Sequence, residues 1–551
     1  MRPRAAILAL SLALAASEPV VSGGRRTAGM DATLEGIRPE ALRAHLEFLA
    51  DDLLEGRGTG TRGYDIAARY VASLFQAAGL EPGGADGTYF QPVPLRKADL
   101  VPEESSLSLQ GEGGTQELVY GRDFLMGGDT VATESHVTAP LAYVGFGITA
   151  PELGYDDYAR IDVRGKIVVM LRGAPPSFPP DQRAYYSSRQ GKTERAVAHG
   201  AVGVIAFALP DDEKRFSFER ILAESRHGSM SWLDDKGVPE EARSHLRGAA
   251  YFSRDAAQRL FAGAAHSLAA VEAEAAAGKA RPFDLPWRAE IRTISRHADL
   301  TSRNVLGGLK GSDPALRREI VVYTAHLDHL GVGEPQDGDA IYNGAYDNAS
   351  GVANLLEVAR AFSRLPRPPR RSILFMAVTG EEKGLLGSDY FASHPTVPAA
   401  DIVAEINMDM FLTLFPVRDV VAFGAGHSSL DAVVREAAGQ MGLEVGPDPF
   451  PEQVLFVRSD QYSFVRKGVP AVMLSAGIHS ADERIDGRAR LLEWLRTVYH
   501  SPQDDTKQPI DYEAAARIAR VNFLVGDLVA EAPTRPVWKP GDFFGKQFGR
   551  R

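Results

Sequence analysis

The 551-residue sequence contains no cysteine. That absence excludes disulfides, thiolate nucleophiles, lipid-bearing cysteines and thiolate metal ligands, so any metal must be held by His, Asp and Glu. Positive charge is also in short supply: 61 Lys and Arg face 72 Asp and Glu, for a formal net charge of -11 and a sequence pI near 5.7. A nucleic-acid surface needs a basic face, and none is expected. Long hydrophobic runs are scarce as well. The most apolar one, AAILALSLALAA near the N-terminus, has roughly 12 residues, below the ~20 that span a bilayer. Arg2 and Arg4 precede it and small residues follow, the order of a secretory signal peptide over residues 1–16. Export to a bacterial periplasm or the medium is therefore expected, without a stable membrane span.

The remainder reads as an ordinary folded chain. A hydrophobic fraction of 44% and a charged fraction of 24% suit a soluble α/β protein. The length exceeds a usual single core, which predicts two or three units or a domain with a large insertion. Leu42, Leu46, Leu49 and Leu53 predict an amphipathic helix over 39–56, and 63–80 carries a second such stripe. From about Asp99 to Trp287 the texture changes to short β-like runs (APLAYVGFGI, GKIVVMLRG, VGVIAFAL) between Gly, Pro and Asp turns. An α/β rhythm then takes over: strands IVVYTA (320–325), SILFMAV (372–378), DIVAEINM (401–408) and GVPAVML (468–474), with a helix over 351–365. The expected division is 30–98 as the first part of the α/β domain, 99–287 as a β-rich insert, 288–535 as the main α/β domain and 536–551 as a tail.

In open α/β sheets the functional groups gather beyond the carboxyl ends of the strands. His326 and Asp328 follow IVVYTA, Asp347 precedes the helix in GAYDNASG, Glu381 and Glu382 follow SILFMAV, Asp409 ends DIVAEINM, and His500 lies in YHSPQDD. Singly, each has a plain structural reading: a surface histidine, a helix cap, a solvated charge. Jointly they point to a metal site. Zinc in catalytic sites typically keeps three protein ligands and a water; His326, Asp347, Glu382, Asp409 and His500 make two such sets if Asp347 is shared, which implies two zinc ions. Glu381 is then left to act as general base. Asp328, on the same side of an extended chain as His326, is placed to orient that imidazole. By the same alternation His329 faces away and reads as structural.

These residues resemble the co-catalytic di-zinc aminopeptidases of metallopeptidase family 28, including bacterial leucyl aminopeptidases, in the form with an inserted protease-associated domain. The resemblance rests on AHLDHLG, GAYDNASGVA, VTGEEKGLLGS, INMDM and YHSPQDD, with LADDLLEGRGTGTRGYDIAARYV at the start and DYARIDVRGKIVVMLRG with KTERAVAHGAVGVIAF in the insert. It implies a mixed, mostly parallel central sheet sandwiched by helices. By position, His326 and Asp409 would hold one zinc, Glu382 and His500 the other, and Asp347 would bridge them. The implied activity is hydrolysis of N-terminal residues from peptides with a free amino end, through a hydroxide bridging the metals and with Glu381 as base. RSDQYSFVRKGVPAVMLSAG resembles the segment lining the side-chain pocket and offers Tyr462 and Phe464 as walls. A carboxypeptidase of the same fold is the alternative, with Arg458 or Arg466 clamping the substrate carboxylate; a one-zinc glutaminyl cyclase is another, and so is a receptor that kept the fold without the metals. The oligomeric state, the preferred first residue and the role of the tail are left open.

Overall fold

The computed structural model describes residues 28–215 and 217–550; the expected signal peptide, residues 1–16, lies outside them. Helix Pro39–Leu49 buries Leu42, Leu46 and Leu49, and helix Arg62–Ala77 buries Tyr64, Ala67, Ala68, Val71 and Phe75, the stripes that the spacing predicts. The first helix stops short of residue 56. Asp51 accepts from the Leu53 amide at 2.8 Å and starts a new turn, Asp52–Arg57, in which Glu55, Gly56 and Arg57 all take positive φ.

The α/β region is built on one mixed sheet. From one edge the strands run Ser229–Trp232, Phe90–Leu100, Phe283–Leu309, Ser372–Val378, Ile320–His326, Ile402–Asn407, Ala471–Ala476, Asp419–Phe423 and Glu444–Gly446. The four from Ser372–Val378 to Ala471–Ala476 are parallel. Strands covered on both faces read as continuous apolar runs, and every residue of Ile320–His326 and Ile402–Asn407 is buried. Helices Ser350–Ser363 and Tyr512–Glu531 supply much of the covering core, with Val352, Leu355, Ile518 and Leu524 at 0–2% exposure.

The insert has its own sheet, Ser106–Gly111, the first half of Phe283–Leu309, Glu134–Tyr143, Ile167–Leu171, Gly203–Phe207 and Ala249–Phe252, over a core that includes Leu107, Tyr143, Val169, Phe207 and Ile291. The 27-residue strand Phe283–Leu309 serves both sheets: Ile294 pairs with Glu134, and Ser295 with Leu100. The texture changes at 98/99 and 287/288 thus fall inside continuous strands, because one antiparallel ribbon carries the chain out and back. The tail also has a place: helix Phe543–Phe548 sets Phe544 among Phe456, Tyr462 and Phe423, while Phe543 meets Tyr185 of the insert at 5.3 Å. It wedges the insert against the main domain. Among the described residues, no helix is long and apolar enough to cross a membrane.

Candidate metal centre

The parallel strands bring their following loops to one place. His326 ends its strand, 1% exposed, with Nδ1 at 3.0 Å from the backbone carbonyl of Asp328. A carbonyl partner makes Nδ1 the donor, which turns the lone pair of Nε2 outward. That Nε2 faces Asp347 Oδ1 at 3.1 Å and Asp409 Oδ1 at 3.3 Å. The other oxygen of Asp347, Oδ2, lies 3.3 Å from Nε2 of His500, which is 3.2 Å from Glu382 Oε2. Asp347 therefore stands between two imidazoles with one oxygen toward each. His500 takes a left-handed backbone, φ 57°, a conformation that bulky residues adopt when the surroundings impose it.

The local chemistry explains why Asp347 is available. In the turn that leads into helix Ser350–Ser363, Asn348 rather than Asp347 serves the first helical turn, its Oδ1 accepting from the Gly351 amide at 2.9 Å. Asp347 is thereby released from the capping role that its position suggests. Asp504, in the YHSPQDD motif, holds the loop from below, accepting from the amides of Tyr346 and Asp347 at 2.9 and 3.0 Å. Ser459 donates to Asp409 Oδ2 at 2.6 Å and itself accepts from Asn407 at 2.7 Å.

The electrostatics are those of crowded acids. Burial and the neighbouring Glu382 push the Asp347 carboxyl up, but bonds from His326 and His500 hold it below the usual carboxylate range. Burial raises Glu382 too, and His500 and His329 reverse it. Burial, then Glu382, Asp409 and Asp460, drive Glu381 well above the ordinary carboxyl value against the pull of His326. Burial disfavours charge on His326, yet Asp409 and Glu381 raise its pKa well above the imidazole norm. Asp328, Asp347, Asp409, Asp460 and Asp504 are all 8% exposed or less, and the buried guanidinium of Arg57 interacts with Asp504, Asp328, Asp347 and Glu382. Acids this dense need more compensating positive charge than one guanidinium brings. His326, Asp347 and Glu382 each offer a ligand atom, all within 4.8 Å of one another, and imidazole with carboxylate is a donor set suited to zinc. The residues fit a metal.

Several expectations need correction. Asp328 does orient His326, but through its backbone carbonyl; its carboxylate instead accepts from Thr59 Oγ1 at 2.9 Å and from the Glu381 amide at 3.2 Å, tying the two loops together. His329 does not face away. The strand ends at His326, so alternation no longer applies, and His329, 0% exposed, puts Nδ1 2.7 Å from Glu382 Oε1. Tyr462 and Phe464 do not join the cluster: Tyr462 packs toward Phe544 and Phe548 of the tail helix, and Phe464 against Phe391 at 6.0 Å. Their helix, Gln461–Val465, is buried on every side. Arg466 is committed to Asp389 at 2.5 Å, while Arg458 is exposed and donates to the Gln453 carbonyl at 3.3 Å.

Arg57, Ser459 and Asp504 were not singled out by sequence, although all three lie inside quoted motifs. Arg57 is 1% exposed and donates to the carbonyls of Leu327, Asn343 and Gly344 at 2.9, 2.7 and 3.0 Å, joining the loop of His326 to that of Asp347. Its signal was a lone arginine in the Gly-rich stretch LEGRGTG, where a φ of 49° turns the side chain inward.

A parallel-centred α/β sheet with a β insert and acids and imidazoles converging at its strand ends defines an α/β protein with a candidate metal centre where such sheets gather their functional groups. Residues 304–525 match the model of peptidase family M28, and residues 137–236, within the β-rich insert, match the PA domain. A probable zinc metalloprotease of the fungus Pyricularia oryzae is 30% identical over 265 residues, 42% of this chain and 50% of that protein. A probable leucine aminopeptidase 2 of Aspergillus oryzae is 26% identical over 210 residues, 36% of this chain and 38% of that protein. These curated relatives are fungal rather than bacterial, and the chain spans about half the length of the first of them. Among solved structures, the aminopeptidase from Aneurinibacillus sp. strain AM-1 superposes with a TM-score of 0.54 at 21% identity, covering 93% of this chain and 99% of that one. At that identity the likeness is one of fold.

Proposed function

We propose that the protein is a zinc-dependent aminopeptidase holding two ions, with His326 and Asp409 on one, Glu382 and His500 on the other, and Asp347 between them. The observation that carries this reading is Asp347 with one carboxylate oxygen 3.1 Å from His326 and the other 3.3 Å from His500. When bound, the ions would polarise the scissile carbonyl and make the attacking water more acidic. Everything else falls to the chain. Glu381, half-buried and held by its backbone at Asp328, would take the proton of the attacking water and return it to the leaving amine, for which a raised carboxyl pKa is suited. Asp328, His329 and Asp504 keep their neighbours in place. Arg466, being paired with Asp389, is not available as a carboxylate clamp. We also propose export, from the arginine-flanked apolar run near residue 10.

The test is hydrolysis of a free-amino leucyl peptide beside its N-acetylated and C-amidated twins, before and after chelation and zinc restoration. Cleavage of the free-amino and amidated peptides alone, lost on chelation, is the expected result. Cleavage that tolerates acetylation but requires a free carboxylate would make the enzyme a carboxypeptidase instead.

A further inference from the structure

One segment of the PA insert reaches the metal centre from both sides. Helix Phe218–Ser225 presents Arg220, whose Nη2 donates to the backbone carbonyl of Tyr499 at 3.3 Å. The same guanidinium lies 5.2 Å from the centroid of the Tyr499 ring. That ring stacks, tilted by 30°, on the imidazole of His500 at 3.8 Å. A few residues on, Arg226 pairs with Glu334 at 3.2 Å and His227 meets the Tyr342 ring edge-on at 5.7 Å. Glu334 and Tyr342 belong to the hairpin Gly331–Gln336 and Asp339–Tyr342, the stretch of chain between His329 and Asp347. The segment thus braces the His500 loop against the hairpin that lies between His326 and Asp347 in the chain.

We propose that Arg220 is a positioning residue for His500, acting through Tyr499, so that the insert helps to hold a metal ligand of the peptidase domain in place. The inference rests on the metal reading above. The Tyr499 ring limits rotation of the His500 imidazole, whose Nε2 must stay near Asp347 and Glu382 at 3.3 and 3.2 Å. A cation over the ring and a donor on its carbonyl hold Tyr499 in turn. The contacts of Arg220 at this edge of the site run to the carbonyl and ring of Tyr499, so the influence assigned to it here is one of orientation.

The experiment uses the full chain loaded with zinc and follows metal release to a chromophoric chelator, together with kcat, KM and thermal stability, in Arg220→Ala, Arg220→Lys, Tyr499→Leu and, as a surface control on the insert, Arg254→Ala. Removing a supporting partner of a ligand typically costs 10–100-fold in metal affinity. At one further remove, Arg220→Ala is expected to release zinc about tenfold faster and to lose kcat with KM unchanged. Arg220→Lys should recover part of the loss, Tyr499→Leu should reproduce it, and Arg254→Ala, whose partner is Glu272 on the outside of the insert, should leave it untouched. Wild-type zinc retention and kcat in Arg220→Ala overturn the proposal, as does a rise in KM alone, which would make Arg220 a substrate contact. A normal Tyr499→Leu beside a defective Arg220→Ala overturns the route through Tyr499. A wild-type protein that takes up no zinc removes the metal reading itself, whereas one that holds zinc as firmly as its Arg220→Ala variant removes only this inference.

Discussion

The insert and the peptidase domain both bury charge, and they accommodate it in different ways. In the insert, Lys192 is 4% exposed and gives its Nζ to the Leu171 carbonyl at 2.8 Å, with burial lowering its pKa to about 7 despite Asp157 nearby. Asp157 is raised by burial to about 7 while it accepts from the Ile148 amide at 3.0 Å and the Tyr155 hydroxyl at 2.8 Å. Each group is satisfied locally and can shed its charge. At the strand ends of the peptidase domain seven acids meet, Asp328, Asp347, Glu381, Glu382, Asp409, Asp460 and Asp504, each influencing the protonation of a neighbour. An isolated buried charge can be relieved by changing its protonation; converging like charges call for an outside cation. In the reading proposed above, buried charge is structural in the insert and part of a metal site in the other module.

The sharpest way to break this contrast is to remove the shared carboxylate. Asp347→Ala should lose zinc and, with Lewis-acid stabilisation of several kcal/mol gone, at least about 1,000-fold in kcat/KM. Metal analysis and hydrolysis of the leucyl peptide check it, and full activity in that variant would end the bridging assignment. Glu381→Gln separates chemistry from metal binding: activity should fall by about 100- to 10,000-fold with zinc content unchanged. Loss of zinc along with activity would move Glu381 into the ligand set. Asp504→Asn replaces one acceptor of the loop amides by a donor and should weaken zinc by about 10–100-fold, read by competition with a chelator; unchanged affinity would reduce Asp504 to a fold residue.

The smallest effect on catalysis is expected in the insert. The folded pKa of Lys192 is near 7 against 10.5 in the unfolded chain, so the unfolded state binds more protons between those values. Stability from this group rises with pH across that window, at up to about 1.4 kcal/mol per unit. Asp157 has the opposite sense, its folded pKa near 7 lying above 3.8, so its contribution is present below pH 4 and lost as pH rises toward 7. Lys192→Met should abolish the rising limb above pH 7 in thermal unfolding while hydrolysis is unaltered. Persistence of that limb would place the titration elsewhere.

Much of this was legible in the chain. Strands Ser372–Val378 and Ile320–His326 lie where uninterrupted apolar runs put them, because a strand covered on both faces must be apolar throughout. The candidate ligands His326, Asp347, Glu382, Asp409 and His500 were legible because loops after parallel strands share one edge of the sheet. Local rules failed where the chain stopped being regular. Alternation misplaced His329 once its strand had ended, and the resemblance of segment 458–477 to a pocket lining put forward Tyr462 and Phe464, which the tail helix and Phe391 claim for packing.

By itself, then, the sequence determined the residue types of the site, the order of the strands that carry them and the presence of a second β-rich unit, since these follow from periodicity and from a donor set without thiols. Only the tertiary structure decided which oxygen of Asp347 faces which imidazole, that Asp328 works through its carbonyl, that Arg57 and Asp504 hold the loops, and that Arg220 of the insert reaches Tyr499. Apart from the Asp328 carbonyl, two residues from His326, those are contacts between residues tens to hundreds of positions apart, and periodicity is a local property: it places a side chain on a face, but its partner there is chosen by the packing of the whole chain.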